Sequence, residues 1–255
     1  MTVKAATERF SDRVENYAKY RPGYPEAALD LLEHECALAP GTTVADLGSG
    51  TGIFSALLLA RGARVYAVEP NAAMRAAAEQ RLGGESGFVS VAATAEDTGL
   101  EAGSVDLIVA AQSFHWFERA QARREFVRLL RPGGHVALIW NERVIDGTPF
   151  LRGYERILRD YAPEYGIVDH RDISPEDVAA FYAPGKAQLQ VFPYRQRFDF
   201  EGLKGRLLSS SYSPEEGHPN HVPMINALRR LFETYEENGT VALAYATRVF
   251  YGRLE

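Results

Sequence analysis

The chain has 255 residues, 46% of them hydrophobic and 24% charged, which suits one large α/β domain or a domain with a helical elaboration. A formal net charge of −6 leaves no basic footprint for nucleic acid, and a single cysteine, Cys36, excludes an intrachain disulfide. No apolar run approaches the ~20 residues that cross a bilayer, and MTVKAATERFSDRVENYAKY has no apolar signal-peptide core, so a cytoplasmic protein without a membrane partner is expected.

Helix and strand signals alternate from residue 26 to 140. EAALDLLEHECAL reads as a helix closed by Pro40-Gly41, and TTVADL as a short apolar strand. IFSALLLARG is a helix with Gly62 at its stop position, followed by the strand ARVYAVE. Asn71 is placed to cap the helix AAMRAAAEQRL. GFVSVAA, VDLIVAAQS and HVALIW read as strands three to five, with the helix ERAQARREFVRLL before the last of them. The arginines from Arg119 to Arg131 belong to an exposed face of that helix. Beyond residue 140 come helical segments TPFLRGYERILRDY and SPEDVAAFY, a strand QLQVFPYRQRFDF, helices near 201–209 and at MINALRRLFETYEENG, and a final β-rich segment VALAYATRVFYGRL.

Strands separated by helices and apolar on consecutive positions predict a parallel sheet covered on both faces, doubly wound because such crossovers are right-handed. The expected fold is an α/β, Rossmann-like, seven-stranded, mainly parallel sheet with a helical lid inserted after strands five and six. It divides into an N-terminal covering segment (1–25), a cofactor-binding core (26–140), and lid helices with the last two strands (141–255). Ligands of such sheets bind beyond the carboxyl ends of the strands, which directs attention to the loops there.

The first of these loops is VADLGSGTGIFS, with Gly48, Gly50 and Gly52 around Thr51 and Asp46 just ahead. Glycine there allows positive φ or a close approach. A dinucleotide fingerprint would want a third glycine where Ile53 stands, which weighs against a nicotinamide-dependent oxidoreductase. Glu69 closes the next strand, where a carboxylate accepts from both hydroxyls of a ribose. His218 and His221, in HPNH, lack the third ligand that a metal site needs, so no metal is expected.

VADLGSGTG, Glu69, ATAED at 93–97, VDLIVAAQSFHWF at 105–117 and LLRPGGHVALIW at 129–140 together resemble class I S-adenosylmethionine-dependent methyltransferases. YRPGYP and SFHWF are similar to a small-molecule branch that includes trans-aconitate methyltransferase-like proteins. The resemblance implies S-adenosylmethionine as methyl donor and a small molecule as acceptor, methylated at oxygen, with a carboxylate as one specific case. A binding module that keeps the donor loop without turnover is the non-enzymatic alternative.

The resemblance also assigns roles. Asp46 meets the amino group of the donor's methionine end or the loop's own N–H groups, and Ala111 and Gln112 line that end. Glu69 holds the ribose, Ala95 and Glu96 lie beside the adenine, and Met74 packs on its face. Arg21 pairs with the donor carboxylate, in a wall shared with Tyr17, Tyr20 and Tyr24; Tyr20 is also assigned to the acceptor side. Trp116, Phe117 and Trp140, with Asn141, shape the acceptor pocket, and His115 is the catalytic base if the acceptor must lose a proton.

Overall fold

The protein is described here by a computed structural model covering residues 20–165, 173–210 and 212–255. Tyr17 and most of the expected covering segment 1–25 therefore lie outside the described residues. Seven strands form one sheet in the order β3-β2-β1-β4-β5-β7-β6. They are β1 (Thr43–Leu47), β2 (Arg64–Val68), β3 (Phe88–Val91), β4 (Val105–Ala111), β5 (Leu130–Arg143), β6 (Ala187–Phe198) and β7 (Val241–Gly252). The first five are parallel, and β7 runs antiparallel to both β5 and β6. The order of strands reverses between β1 and β4, so a crevice opens beyond Leu47 and Ala111.

Apolar side chains on both faces of the strands are covered by helices of matching polarity. On one face α1 (Glu26–Cys36) and α2 (Ile53–Ala60) bury Leu29, Leu32, Phe54 and Leu58 against Val44, Val65 and Ile139. On the other, α4 (Arg119–Leu129) buries Phe126 and Leu129 against Ile108 and Leu138. Between them in the chain, α3 (Ala72–Leu82) starts at Asn71, whose side chain accepts from the N–H groups of Ala73 and Met74 as expected of a cap.

Helices α5 (Pro149–Tyr161), α6 (Pro175–Tyr182), α7 (Phe200–Leu208) and α8 (His221–Tyr235) follow the core. Three of them, α5, α7 and α8, share a separate apolar cluster that includes Tyr154, Leu207, Leu228 and Tyr245. The fourth departs from the expected lid. Helix α6 lies on the sheet, with Phe181 and Tyr182 in the main core and the Tyr182 hydroxyl 3.0 and 3.1 Å from the carbonyls of Val136 and Phe250. A buried phenol needs such acceptors, and strands β5 and β7 supply them.

Two boundaries also differ from the sequence reading. Strand β5 starts at Leu130, before the Pro132-Gly133-Gly134 stop, because its pairing with β4 shifts register between Val105 and Leu107 and absorbs those residues as a bulge. Pro193 lies inside β6, which is tolerated because, among the described residues, β6 is an edge strand paired only to β7.

Candidate functional site

The loop from Leu47 to Gly52 forms one side of the crevice, and each of its glycines meets a different constraint. Gly48 has φ +68°, and a Cβ there would lie 2.5 Å from the Cβ of Ser113, whose hydroxyl donates to the Leu47 carbonyl at 2.6 Å. Gly52 has φ +75° and would collide with Leu82 of α3. Gly50 has φ +57° and nothing within 4 Å, because it faces open space. Gly48→Ala is therefore expected to cost about 2–4 kcal/mol through left-handed strain and overpacking. Gly50→Ala should cost only about 1 kcal/mol and act mainly on ligand binding. Comparing melting temperature with ligand affinity for the two variants checks this, and equal stability losses would refute it.

Two adjoining hollows of about 520 and 760 Å³ open over the loop and share Gly48, Gly50 and Gln112 as walls. The smaller is lined by Arg21, Tyr24, Asp46, Thr51, Ala111 and Asn141, and the larger by Glu69, Met74, Ala95, Glu96, Trp116 and Phe117. Residues from strand ends far apart in the chain thus converge on one elongated cleft.

Two buried carboxylates mark its depth. Asp46 is almost wholly enclosed; its Oδ2 accepts from the Ser55 hydroxyl at 2.6 Å, while Oδ1 has no partner. Burial pushes its carboxyl up to about 7, the nearby Glu69 adds to this, and the Ser55 hydrogen bond opposes it. A buried acceptor without a donor is costly, so this oxygen fits a cationic group arriving from the cleft. Glu69 is also buried. Its Oε2 accepts from the Gly50 N–H at 2.9 Å and its Oε1 from the Asn71 N–H at 2.8 Å, tying the glycine loop to the start of α3. Burial raises its carboxyl above the ordinary value, and these two bonds pull the other way. Each oxygen keeps acceptor capacity for a further hydroxyl.

Gln112 follows β4 directly with φ +60°, an uncommon conformation for a residue with a side chain. Its Nε2 donates to the Asn141 carbonyl at 3.2 Å. Asn141 in turn donates through Nδ2 to the Gly23 carbonyl at 2.8 Å and accepts from the Thr247 hydroxyl at 2.6 Å, joining β5, β7 and the incoming N-terminal strap. The strap carries Arg21, which donates to the Ser209 carbonyl at 3.2 Å, and Tyr24, whose ring meets Phe54 edge-on at 4.8 Å. At the other end, Glu96 accepts from the Glu118 N–H, and Thr98 is held by Glu125, which Arg128 grips with two nitrogens.

Some expected positions fall elsewhere. Trp140 is buried in the core, edge-on to Phe114 and Phe250, and Asn141 is the residue that reaches the cleft. Successive strand side chains point to opposite faces, so one step along β5 exchanges the two. Tyr20 packs its ring on Gly205 of α7 and lines neither hollow. His115 sits in a short turn, Phe114–Trp116, with its ring tilted against Trp116 at 4.8 Å; it lines neither hollow. His218 and His221 bond to the Asn220 N–H and near the Pro214 carbonyl within their own loop. Ser113 was missed, although a small polar residue just past β4 is the natural neighbour for a glycine at the end of β1.

Residues 45–138 match the family model described as a methyltransferase domain. An uncharacterised methyltransferase of Mycobacterium tuberculosis is 40% identical over 138 residues; that match covers 52% of this chain and only 52% of the relative, about half its length. An uncharacterised methyltransferase-like protein of Schizosaccharomyces pombe is 27% identical over 100% of this chain and 99% of its own. Among solved structures, a candidate type II methyltransferase from Anaeromyxobacter dehalogenans aligns with a TM-score of 0.65 at 25% identity, over 92% of this chain and 98% of that one. With the glycine loop, the buried Asp46 and Glu69 and the strand order, these matches support a class I S-adenosylmethionine-dependent methyltransferase.

Proposed function

We propose that the protein transfers a methyl group from S-adenosylmethionine to a small-molecule acceptor, at oxygen, by in-line displacement, with a carboxylate as one such acceptor. The observation that carries the donor assignment is the partnerless Oδ1 of Asp46, buried at the end of a cleft whose other half holds Glu69. S-adenosylmethionine, when bound, supplies a methyl group already activated as a sulfonium.

The chain's own part is to bind, orient and keep water out. Asp46 would receive the ammonium of the donor and Arg21 its carboxylate, while Glu69 would accept from the ribose hydroxyls. Met74, Ala95 and Glu96 would enclose the base. Trp116, which lines the larger hollow and is partly exposed, would face the acceptor. A carboxylate acceptor is already ionised and needs no base; a phenol would give its proton to His115, which stands behind Trp116 of the larger hollow's wall. The assignment to oxygen, and to the branch resembling trans-aconitate methyltransferase-like proteins, rests on YRPGYP and SFHWF and is part of the proposal. The acidic balance supports a partner other than nucleic acid, and among the described residues no helix is long and apolar enough to cross a membrane.

Incubation with deuterium-labelled S-adenosylmethionine and panels of carboxylates, phenols and amines tests the reading by mass spectrometry. Esters or ethers are expected, and N-methyl products alone would overturn the assignment to oxygen. His115→Gln should leave ester formation unchanged and slow ether formation about a hundredfold. Full turnover of a phenol by that variant would remove His115 as base.

A further inference from the structure

Among the described residues, two largely buried arginines sit beside the cleft, and only Arg143 has a carboxylate partner. Arg143, at the end of β5, is 2.5 Å from Glu155 Oε2 and 2.8 Å from the Tyr165 hydroxyl. Glu155 is shared with Arg159. Arg206, on α7, is 7% exposed and meets only hydroxyls: Tyr245 at 3.2 Å through Nε, and Ser209 at 3.4 Å and Ser210 at 3.1 Å through Nη1. Among the described residues no carboxylate lies within ion-pair distance of it, and its Nη2 makes no hydrogen bond. The Tyr154 hydroxyl, close enough to feel its charge, makes none either. Tyr245 spends its oxygen as acceptor for Arg206 and keeps its own O–H to donate.

Guanidinium does not shed its proton, so a buried one without a counter-charge is costly to the fold. Here it meets the Tyr245 hydroxyl, and the Tyr154 hydroxyl lies close enough to feel its charge, so a guanidinium and two phenols stand together, which is the equipment for an anion. The place is also telling. Ser209 gives its carbonyl to Arg21, a wall of the donor cleft, and the ring of Tyr245 lies 6.1 Å from that of Tyr194, which bonds to Gly23 in the same strap.

We propose that Arg206, with the hydroxyls of Tyr154 and Tyr245, is an anchoring site for an anionic group of the methyl acceptor, a carboxylate or a phosphate monoester. The inference rests on the methyltransferase reading above and adds the chemical class of the acceptor. The anchored group is held away from attack, because a carboxylate paired to guanidinium is a poorer nucleophile; a different atom of the acceptor takes the methyl.

The test uses the whole protein loaded with S-adenosylhomocysteine, with glutarate, benzoate and inorganic phosphate as anionic probes and glutaramide as the neutral control. Calorimetry and thermal melting should show that at least one anion binds and raises the melting temperature, and that glutaramide does neither. Binding led by glutarate or benzoate assigns carboxylic acids, and binding led by phosphate assigns phosphate esters. Arg206→Met should lose the anion by about tenfold or more while keeping S-adenosylhomocysteine within about threefold. Without anion it should melt no lower than the native protein, since an uncompensated charge is gone; a purely structural arginine would lower it. If that variant does not fold, Arg206→Lys and Tyr154→Phe carry the test, each weakening the anion while keeping S-adenosylhomocysteine within about threefold. Anion binding that survives these substitutions, or no anion binding to the loaded protein, overturns the site. Failure of S-adenosylhomocysteine itself to bind would instead overturn the methyltransferase reading.

Discussion

Asp46→Asn is expected to make the donor-free protein melt at a higher temperature at about pH 8 while weakening S-adenosylmethionine at least about a hundredfold. The two effects have one cause. Burial raises the Asp46 carboxyl from 3.8 to about 7, so the folded chain binds this proton more tightly than the unfolded one. The associated stability is fully present below about pH 4 and is lost as pH rises through 7. That loss amounts to at most about 4 kcal/mol. Asparagine removes it, because its amide oxygen still accepts from Ser55 and it carries no charge at any pH. The ammonium of the proposed donor would do the reverse: it would favour the ionised form and pull the carboxyl down again. Native affinity for S-adenosylmethionine should therefore climb as pH rises toward 7, by up to about tenfold per pH unit, and that of the variant should stay flat. Calorimetry at several pH values with melts of the donor-free proteins measures both. A variant that melts lower at pH 8, or a native affinity indifferent to pH, would sink the explanation.

The second large effect is expected at Glu69. Its two oxygens hold the N–H groups of Gly50 and Asn71, so one side chain sets both the loop and the start of α3. Alanine removes these bonds and the acceptors for the ribose together. At about 1.5–3 kcal/mol for each of the two ribose hydrogen bonds to a charged group, affinity for S-adenosylmethionine should fall about 10²–10⁴-fold. Melting temperature should fall by only a few degrees, because the released N–H groups border the cleft and can reach water. Glu69→Gln keeps one good acceptor and should lie between. Undiminished donor binding by Glu69→Ala would refute this role for Glu69, and binding of NAD in place of the donor would refute the family's donor for this chain.

Much of this arrangement was legible before any coordinates. The glycine loop and Glu69 follow short apolar strands, and local chain geometry alone carries them to the same sheet edge. Asn71 could be read as a cap because capping is settled within four residues. Trp140 misled because a large aromatic at a strand end draws attention, whereas the pleat decides which neighbour faces the cleft. The lid was overdrawn for a similar reason: SPEDVAAFY has the length of a lid helix, and nothing local says that Tyr182 will seek carbonyls between β5 and β7. Arg206 was invisible. Its partners Tyr154 and Tyr245 come from α5 and β7, and only the folded chain shows that, among the described residues, no acidic residue pairs with it.

The position of β7 has a consequence for how the molecule is made. It is the last strand in chain order, yet it lies between β5 and β6 and is, among the described residues, the only neighbour of β6. On the ribosome, the parallel strands that build the donor cleft can pair as soon as β5 emerges. β5 then waits with an open edge along Val136–Arg143, and β6 waits without its β7 partner, until Val241–Gly252 has been synthesised. Unpaired edges of this kind are where nascent chains aggregate. A ribosome that stalls within α8 would thus release a chain with its donor half formed and two bare strands beside it, a substrate for chaperones rather than a smaller enzyme.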